Sequence, residues 1–384
     1  MSILENETGQ KNHGIPRRSA PRDDIRFWVG FSNMRIIGPT RFKKLYNYFS
    51  SMQQAWQASF GELRQAGLDE KTAEQILKLR KEIDLDLVME KLAQEDISII
   101  NLYSDKYPKL LQEIYDLPAI LYYRGTWQTE QDEFSLAIVG TRKISNYGKQ
   151  TTFEITQELT QAGLVIVSGL ALGVDALAHE TCLKNKGRTI AVLGGGLDKE
   201  CIYPSYNKHL AEKIIANGGL LVSEYPPGMR PLRINFPQRN RIVSGLCKGV
   251  LVTEAPEKSG ALLTARNALD QNREVFAMPG SIYNINSLGP NNLIKMGAKL
   301  VLSAEDVLET LDLGLIKEFV ETKKIVPDSK EEAEILKHLS HEPVHVDSLA
   351  RLTSLETNVI NSTMTLMEMK GRVKNLGGMM YVIN

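Results

Sequence analysis

The chain has 384 residues, enough for two or three domains, and its 42% hydrophobic and 24% charged residues exclude the disordered and fibrous classes. Its 46 basic side chains balance 46 acidic ones, so no overall field draws it to nucleic acid or to an anionic membrane, and any such partner must be held by a local patch. Three cysteines, Cys182, Cys201 and Cys247, show no C-x-x-C spacing; this argues against a disulfide framework and a cysteine-rich zinc site and fits a reducing cytoplasm.

Residues 1–24 are polar, with Pro16 and Pro21 among charges, and read as a flexible leader lacking the apolar run of a signal peptide. No apolar stretch approaches the ~20 residues of a membrane span, so no membrane partner is expected. Over residues 25–97 apolar side chains recur at three- and four-residue spacing, as in FKKLYNYF and AEQILKLRKEI, which predicts a small helical domain. Its turns Ile37-Gly38-Pro39-Thr40 and Gly67-Leu68-Asp69 suit either phosphate-binding hairpins or plain helix punctuation. Residues 98–133 read as a connecting segment with a short strand, a helix and an extended YYRG stretch.

From residue 134 to 320 short apolar runs alternate with helical segments: LAIVG (136–140), LVIVSG (164–169), TIAVLGGG (189–196), LLVSEY (220–225), VLVTEA (250–255), VFAMPG (275–280) and KLVL (299–302). Strands that apolar need cover on both faces, which the intervening helices supply. The predicted fold class is therefore α/β, a Rossmann-like, doubly wound, mostly parallel sheet. A charged linker (321–332) leads to residues 333–384, where three helices and a hairpin turning at Gly377-Gly378 outline a winged helix.

In such a sheet ligands bind beyond the carboxyl ends of the strands. Those ends carry Gly140-Thr141-Arg142, Ser168-Gly169, Gly194-Gly195-Gly196, and Glu224 before Pro226-Pro227-Gly228. Loops of this kind let backbone amides approach a phosphate, although glycine at a strand-to-helix turn also has a structural use. Neither G-x-G-x-x-G nor a Walker loop occurs, so no nucleotide cofactor is expected. Charge placement is sharper. Between Glu224 and Glu254 there is no acid, while Arg230, Arg233, Arg239, Arg241 and Lys248 fall inside; a second acid-free window, 136–153, holds Arg142, Lys143 and Lys149. Arginine forks, the amide of Asn240 and the ring of Phe236 suit a sugar-phosphate strand. The competing reading pairs Arg239 and Arg241 with carboxylates elsewhere in the fold.

Catalytic patterns are thinner. Asp175 and His179 stand four apart on a predicted helix but have no nucleophile beside them, and Glu224 and Glu254 end two strands without a defined substrate pocket. His338, His341 and His345 lack the spacing and partners of a zinc site, so no metal is expected.

The stretches AIVGTRKISNYG (137–148), VSGLALGVDALAH (167–179), AVLGGGLDKECIYPSYN (191–207), SEYPPG (223–228), NFPQRNRIVSGL (235–246), VTEAPEKSGALLTA (252–265) and VFAMPGSIYNINSLGPNNLIKMGA (275–298) together resemble the DNA-processing protein A family, also called Smf. The resemblance implies a homodimer without covalent chemistry that binds single-stranded DNA and helps load RecA recombinase onto it in natural transformation, and the cysteine usage places it in the cytoplasm. Carried over by motif, it implies DNA contacts at Gly140, Thr141, Arg142, Gly169, Arg233, Phe236, Arg239, Asn240 and Arg241. Thr141 stands where serine is common and Ala261 where serine is frequent. Duplex DNA is left open as a further ligand. The alternative is a Rossmann-like hydrolase of nucleoside monophosphates using Glu224 or Glu254 as acid or base. A transcription regulator is disfavoured because TNVINSTMTLMEMKG offers no cation before Lys370.

Overall fold

The computed structural model describes residues 25–311, 328–339, 344–370 and 372–383. The expected leader, most of the linker and His341 lie outside them. The chain divides into two units, 1–307 and 308–384.

The first unit begins with six helices: α1 (Ile25–Ser32), α2 (Pro39–Tyr48), α3 (Met52–Gln57), α4 (Phe60–Gln65), α5 (Glu70–Glu82) and α6 (Leu85–Gln94). Side chains that accept backbone N–H groups set their starts: Ser51 caps α3, Ser59 and Glu62 form a reciprocal capping box on α4, and Asp69 and Asp84 cap α5 and α6. Trp28, Phe31 and Phe42 pack ring against ring inside this bundle, Phe31 meeting Phe42 edge-on at 6.2 Å.

Strand β1 (Ser98–Asn101), helix α7 (Lys109–Gln112), β2 (Ile120–Gly125) and α8 (Thr129–Asp132) follow, and then the alternating region: β3 (Ser135–Val139), α9 (Asn146–Gln161), β4 (Val165–Ser168), α10 (Val174–Lys184), β5 (Thr189–Leu193), α11 (Lys208–Ala216), β6 (Leu220–Ser223), α12 (Asn235–Gly245), β7 (Gly249–Val252), α13 (Gly260–Asp270), β8 (Glu274–Ala277), α14 (Leu288–Lys295), β9 (Lys299–Leu300) and α15 (Ala304–Thr310). All nine strands form one sheet, ordered β1-β2-β6-β5-β4-β3-β7-β8-β9. From β6 to β9 every pairing is parallel, and every residue of β3, β4, β5, β6 and β7 is buried, as their unbroken apolar character requires. The region read as a connector adds β1 and β2 to this sheet, with β2 antiparallel to β6 in the register Tyr122↔Ser223.

The chain enters the parallel sheet at β3, winds outward through β4 and β5 to β6, and returns by α12 to lay β7 on the other side of β3. The strand order reverses between β3 and β7, and a crevice opens there beyond their carboxyl ends.

The second unit holds α16 (Lys330–Leu336), β10 (Val344–His345), α17 (Val346–Thr353), α18 (Thr357–Met369), β11 (Val373–Gly377) and β12 (Met380–Ile383), with a three-stranded sheet ordered β10-β12-β11. Ile335, Val346, Leu349, Ile360, Met364 and Met367 fill its own core. This is a winged helix, with its wing turning at Gly378-Met379.

Candidate functional site

Beyond β3, β4 and β7 lies a groove of about 620 Å³, lined by Gly140, Arg142, Gly169, Arg233, Phe236, Arg239 and Asn240 among others. Seven of the nine residues expected to form the site therefore meet in one place.

The turn after β3 is held from beneath. The Thr141 N–H donates to the Glu254 carbonyl at 2.7 Å, its own carbonyl accepts from Val174 N–H, and its hydroxyl accepts from Lys143 N–H at 3.1 Å. Thr141 is thereby buried below the groove and shapes it without lining it. Gly173 brings the start of α10 against this turn with φ of 81°, and a Cβ there would strike the Thr141 carbonyl oxygen. Arg142 emerges exposed, with its guanidinium over the Phe236 ring, Cζ 5.6 Å from the centroid. Arg233 is exposed as well, and among the described residues no carboxylate pairs with either arginine.

Arg239 behaves differently. Its buried guanidinium donates to the carbonyls of Gly169, at 2.6 Å, and of Val192, tying the ends of β4 and β5 together. Gly169 has no side chain because Cζ of Arg239 would lie 2.6 Å from a Cβ there. The Asp175 carboxylate accepts from the N–H groups of Gly169 and Ala171, and burial raises its pKa against the opposing pull of Arg239. Asn240 donates to the Gly260 carbonyl and joins α12 to the start of α13.

Arg241 points away from the groove into a second cavity of about 510 Å³ between α2 and α12. There it pairs with Glu224 at 2.6 Å and Asp116 at 3.0 Å. Successive residues on a helix diverge by about 100°, so Arg239 and Arg241 cannot both face one groove. Burial lifts the Glu224 carboxyl above its ordinary range, with Arg241 as the partial offset.

The candidate catalytic groups are all engaged in structure. Glu254 accepts from Ser145 N–H at 2.9 Å and Ser145 Oγ at 2.5 Å, which anchors the start of α9. His179 Nδ1 lies 2.6 Å from the Thr189 hydroxyl, and burial pushes its pKa down to about 3, so the ring is neutral. His338 lies near Glu334, and His345 caps α17; no metal-ligand cluster occurs among the described residues.

Two lining groups were not singled out from the sequence, Lys258 before α13 and Tyr203, and Ser259 lies beside Lys258. Lys258 follows Glu257, so no acid-free window marks it, and Tyr203 reaches the groove only through the fold. Ser259 and Gly260 put the amino end of α13 on the groove wall, a favourable place for an anion.

These features define a Rossmann-like α/β protein whose sheet carries a cation-rimmed groove at its switch point, in a chain that also bears a winged helix. The family model for DNA recombination-mediator protein A matches residues 98–312, and that for the DprA winged helix domain matches residues 321–379. Protein Smf of Synechocystis is 35% identical over 92% of this chain and 98% of its own length, and DNA processing protein DprA of Bacillus subtilis is 45% identical over 59% of this chain and 75% of its own. The structure of DprA from Streptococcus pneumoniae superposes with a TM-score of 0.64 at 36% identity, covering 74% of this chain and 97% of that one. A structure describing the single-stranded DNA binding mode of the Helicobacter pylori protein gives a TM-score of 0.50 at 34% identity, covering 56% of this chain and 96% of that one. The chain belongs to the DNA recombination-mediator protein A family.

Proposed function

We propose that this protein binds single-stranded DNA in the switch-point groove, largely without regard to base sequence, and hands it to a RecA-type recombinase during DNA uptake and recombination. The observation that carries the reading is the set of cations Arg142, Arg233 and Lys258, which no carboxylate pairs among the described residues, around a groove that also receives a helix amino end. Cations in that arrangement grip phosphates, and phosphates carry no sequence. The backbone of Gly140 and Gly169 completes the cradle, while Thr141, Arg239 and Asn240 hold its shape. The named strand ligand of the Helicobacter pylori relative supports the same assignment. Arg241 belongs to the fold rather than to the DNA contact.

The winged helix fits an accessory role better than base readout. Lys370 and Arg372, which end and follow α18, are both paired with Asp328 and Glu332. Homodimerisation is proposed through β9, the edge strand of the sheet among the described residues, where Met296, Leu300 and Leu302 are exposed. No described helix is long and apolar enough to cross a membrane, and all three cysteines are free and buried, which suits work in the cytoplasm. Nucleotide hydrolysis finds no support in Glu224 and Glu254, since both carboxylates are occupied.

The test is competition between labelled single-stranded and duplex oligonucleotides, followed by RecA filament formation on strands precoated with a single-strand-binding protein. Preferential binding of the single strand and faster RecA nucleation are expected. Duplex preference would refute the first part, and unchanged nucleation the second.

A further inference from the structure

The groove has an aromatic wall that divides into two parts with different work to do. Phe236 is only partly exposed, because three neighbours surround its ring: the Arg142 guanidinium, the ring of Tyr203 at 5.7 Å and 45°, and the backbone of Gly194, where a Cβ would come within 3.1 Å. Little of its face is left for a base. Tyr203 is 49% exposed and lines the groove.

The mount of Tyr203 is firm. Ile202 before it is buried, and the buried Asn207 donates its side-chain amide to the carbonyls of Leu170, at 2.9 Å, and Ala171, at 3.2 Å. The loop 203–207 is thereby pinned to the loop after β4, and Leu172 adds an apolar edge beside the ring. A ring fixed in this way loses little entropy when a base settles on it. Tyr203 and Arg142 both pack against the Phe236 ring and line the same pocket, so a phosphate on Arg142 would leave the attached nucleoside beside Tyr203.

We propose that Tyr203 is the platform on which a base of the bound strand stacks, and that Phe236 is a positioning residue that holds Tyr203 and Arg142 in register. The proposal rests on the strand-binding reading above. Stacking on an aromatic ring is tolerant of base identity, because every base has a π-face. The platform would therefore add affinity without adding sequence preference.

The experiment measures fluorescence anisotropy on an oligothymidylate and on an oligonucleotide of equal length built from abasic units, each over a salt series, with melting temperatures alongside. Tyr203→Ala should bind the thymidylate strand about 5- to 100-fold more weakly. Its salt slope should equal that of the wild type, and its affinity for the abasic strand should be unchanged. Tyr203→Phe should bind as the wild type does. Phe236→Ala should weaken binding to both strands and flatten the slope, because it frees Arg142. Tyr203→Trp supplies a readout independent of truncation, as its emission should be quenched by the thymidylate strand and much less by the abasic one. If Tyr203→Ala binds thymidylate within two-fold of a wild type that itself binds with a clear salt dependence, or if the tryptophan is indifferent to bases, the platform is refuted while strand binding stands. If the wild type binds neither strand, both readings fall together.

Discussion

Arg241→Met removes a guanidinium wedged between Glu224 and Asp116 while keeping most of the apolar stem in place. Removing one partner of a buried pair typically costs about 3–5 kcal/mol, because a charge is left without compensation. Here Glu224 keeps 16% of its side chain exposed and Asp116 keeps 50%. Solvent screens most of the Asp116 share, and the expected loss is about 3 kcal/mol, from the low end of that range. The loss depends on pH in a definite direction. Burial already raises the Glu224 carboxyl above its ordinary value of 4.5, and losing Arg241 raises it further. A carboxyl with a raised folded pKa binds its proton more tightly folded than unfolded, so its stabilising share is present below the unfolded value and is lost as pH rises through the folded one. The variant's deficit should be small near pH 4.5 and should grow toward neutrality. Adding Glu224→Gln should recover much of it. Urea denaturation at both pH values measures the effect, with anisotropy on single-stranded DNA well below the melting transition. Binding should persist within a few-fold. A variant with an unchanged urea midpoint and lost DNA binding would show that Arg241 grips the strand and would refute the division of labour along α12.

Gly173→Ala forces a side chain into a backbone with φ of 81° and to 2.8 Å from the Arg142 carbonyl. It should cost about 3 kcal/mol and weaken strand binding by shifting the Thr141-Arg142 turn, as thermal melts and anisotropy can check. His179 is held near pKa 3 by burial, with Arg239 adding to the effect, so the unfolded chain takes up its proton first. Stability should fall as pH drops from 6.5 toward about 3, at up to about 1.4 kcal/mol per pH unit from this group. His179→Gln should give a flatter urea midpoint against pH over that window. Arg372→Ala leaves Lys370 as the one cation paired with Glu332 among the described residues and should loosen the winged helix. Hydrogen exchange on the full chain would read this as faster exchange confined to residues after 327, with strand binding unchanged.

The parallel strands were legible because a strand buried on both faces must be apolar along its length. The short lengths of LAIVG, LVIVSG and TIAVLGGG and the glycines that end them favour buried strands over helix segments. The role of residues 98–133 was not legible, since antiparallel addition of β1 and β2 depends on partners far off in sequence, such as Tyr122 on Ser223. At the candidate site, the acid-free windows hold Arg142 and Arg233, and both line the groove. The same windows gave no means of separating Arg239 and Arg241, which spend their charge inward on Gly169 and Val192 carbonyls and on Glu224. Lys258 went unseen because Glu257 cancels it in sequence, although only the lysine lines the groove.

On the proposal above, Arg142, Arg233 and Lys258, which no carboxylate pairs among the described residues, hold a single strand by its phosphates at the switch-point groove. The most direct test is the salt dependence of single-stranded DNA affinity for the wild type and for Arg142→Ala. Each phosphate neutralised on a single strand contributes about 0.7 to the slope of log affinity against log salt. The three cations of the groove predict a wild-type slope of about −2 from this site, reduced by about 0.7 in Arg142→Ala with the melting temperature unchanged. A wild type that fails to bind at low salt, or an Arg142→Ala variant with the wild-type slope and affinity, would mean that the groove does not hold DNA by its phosphates.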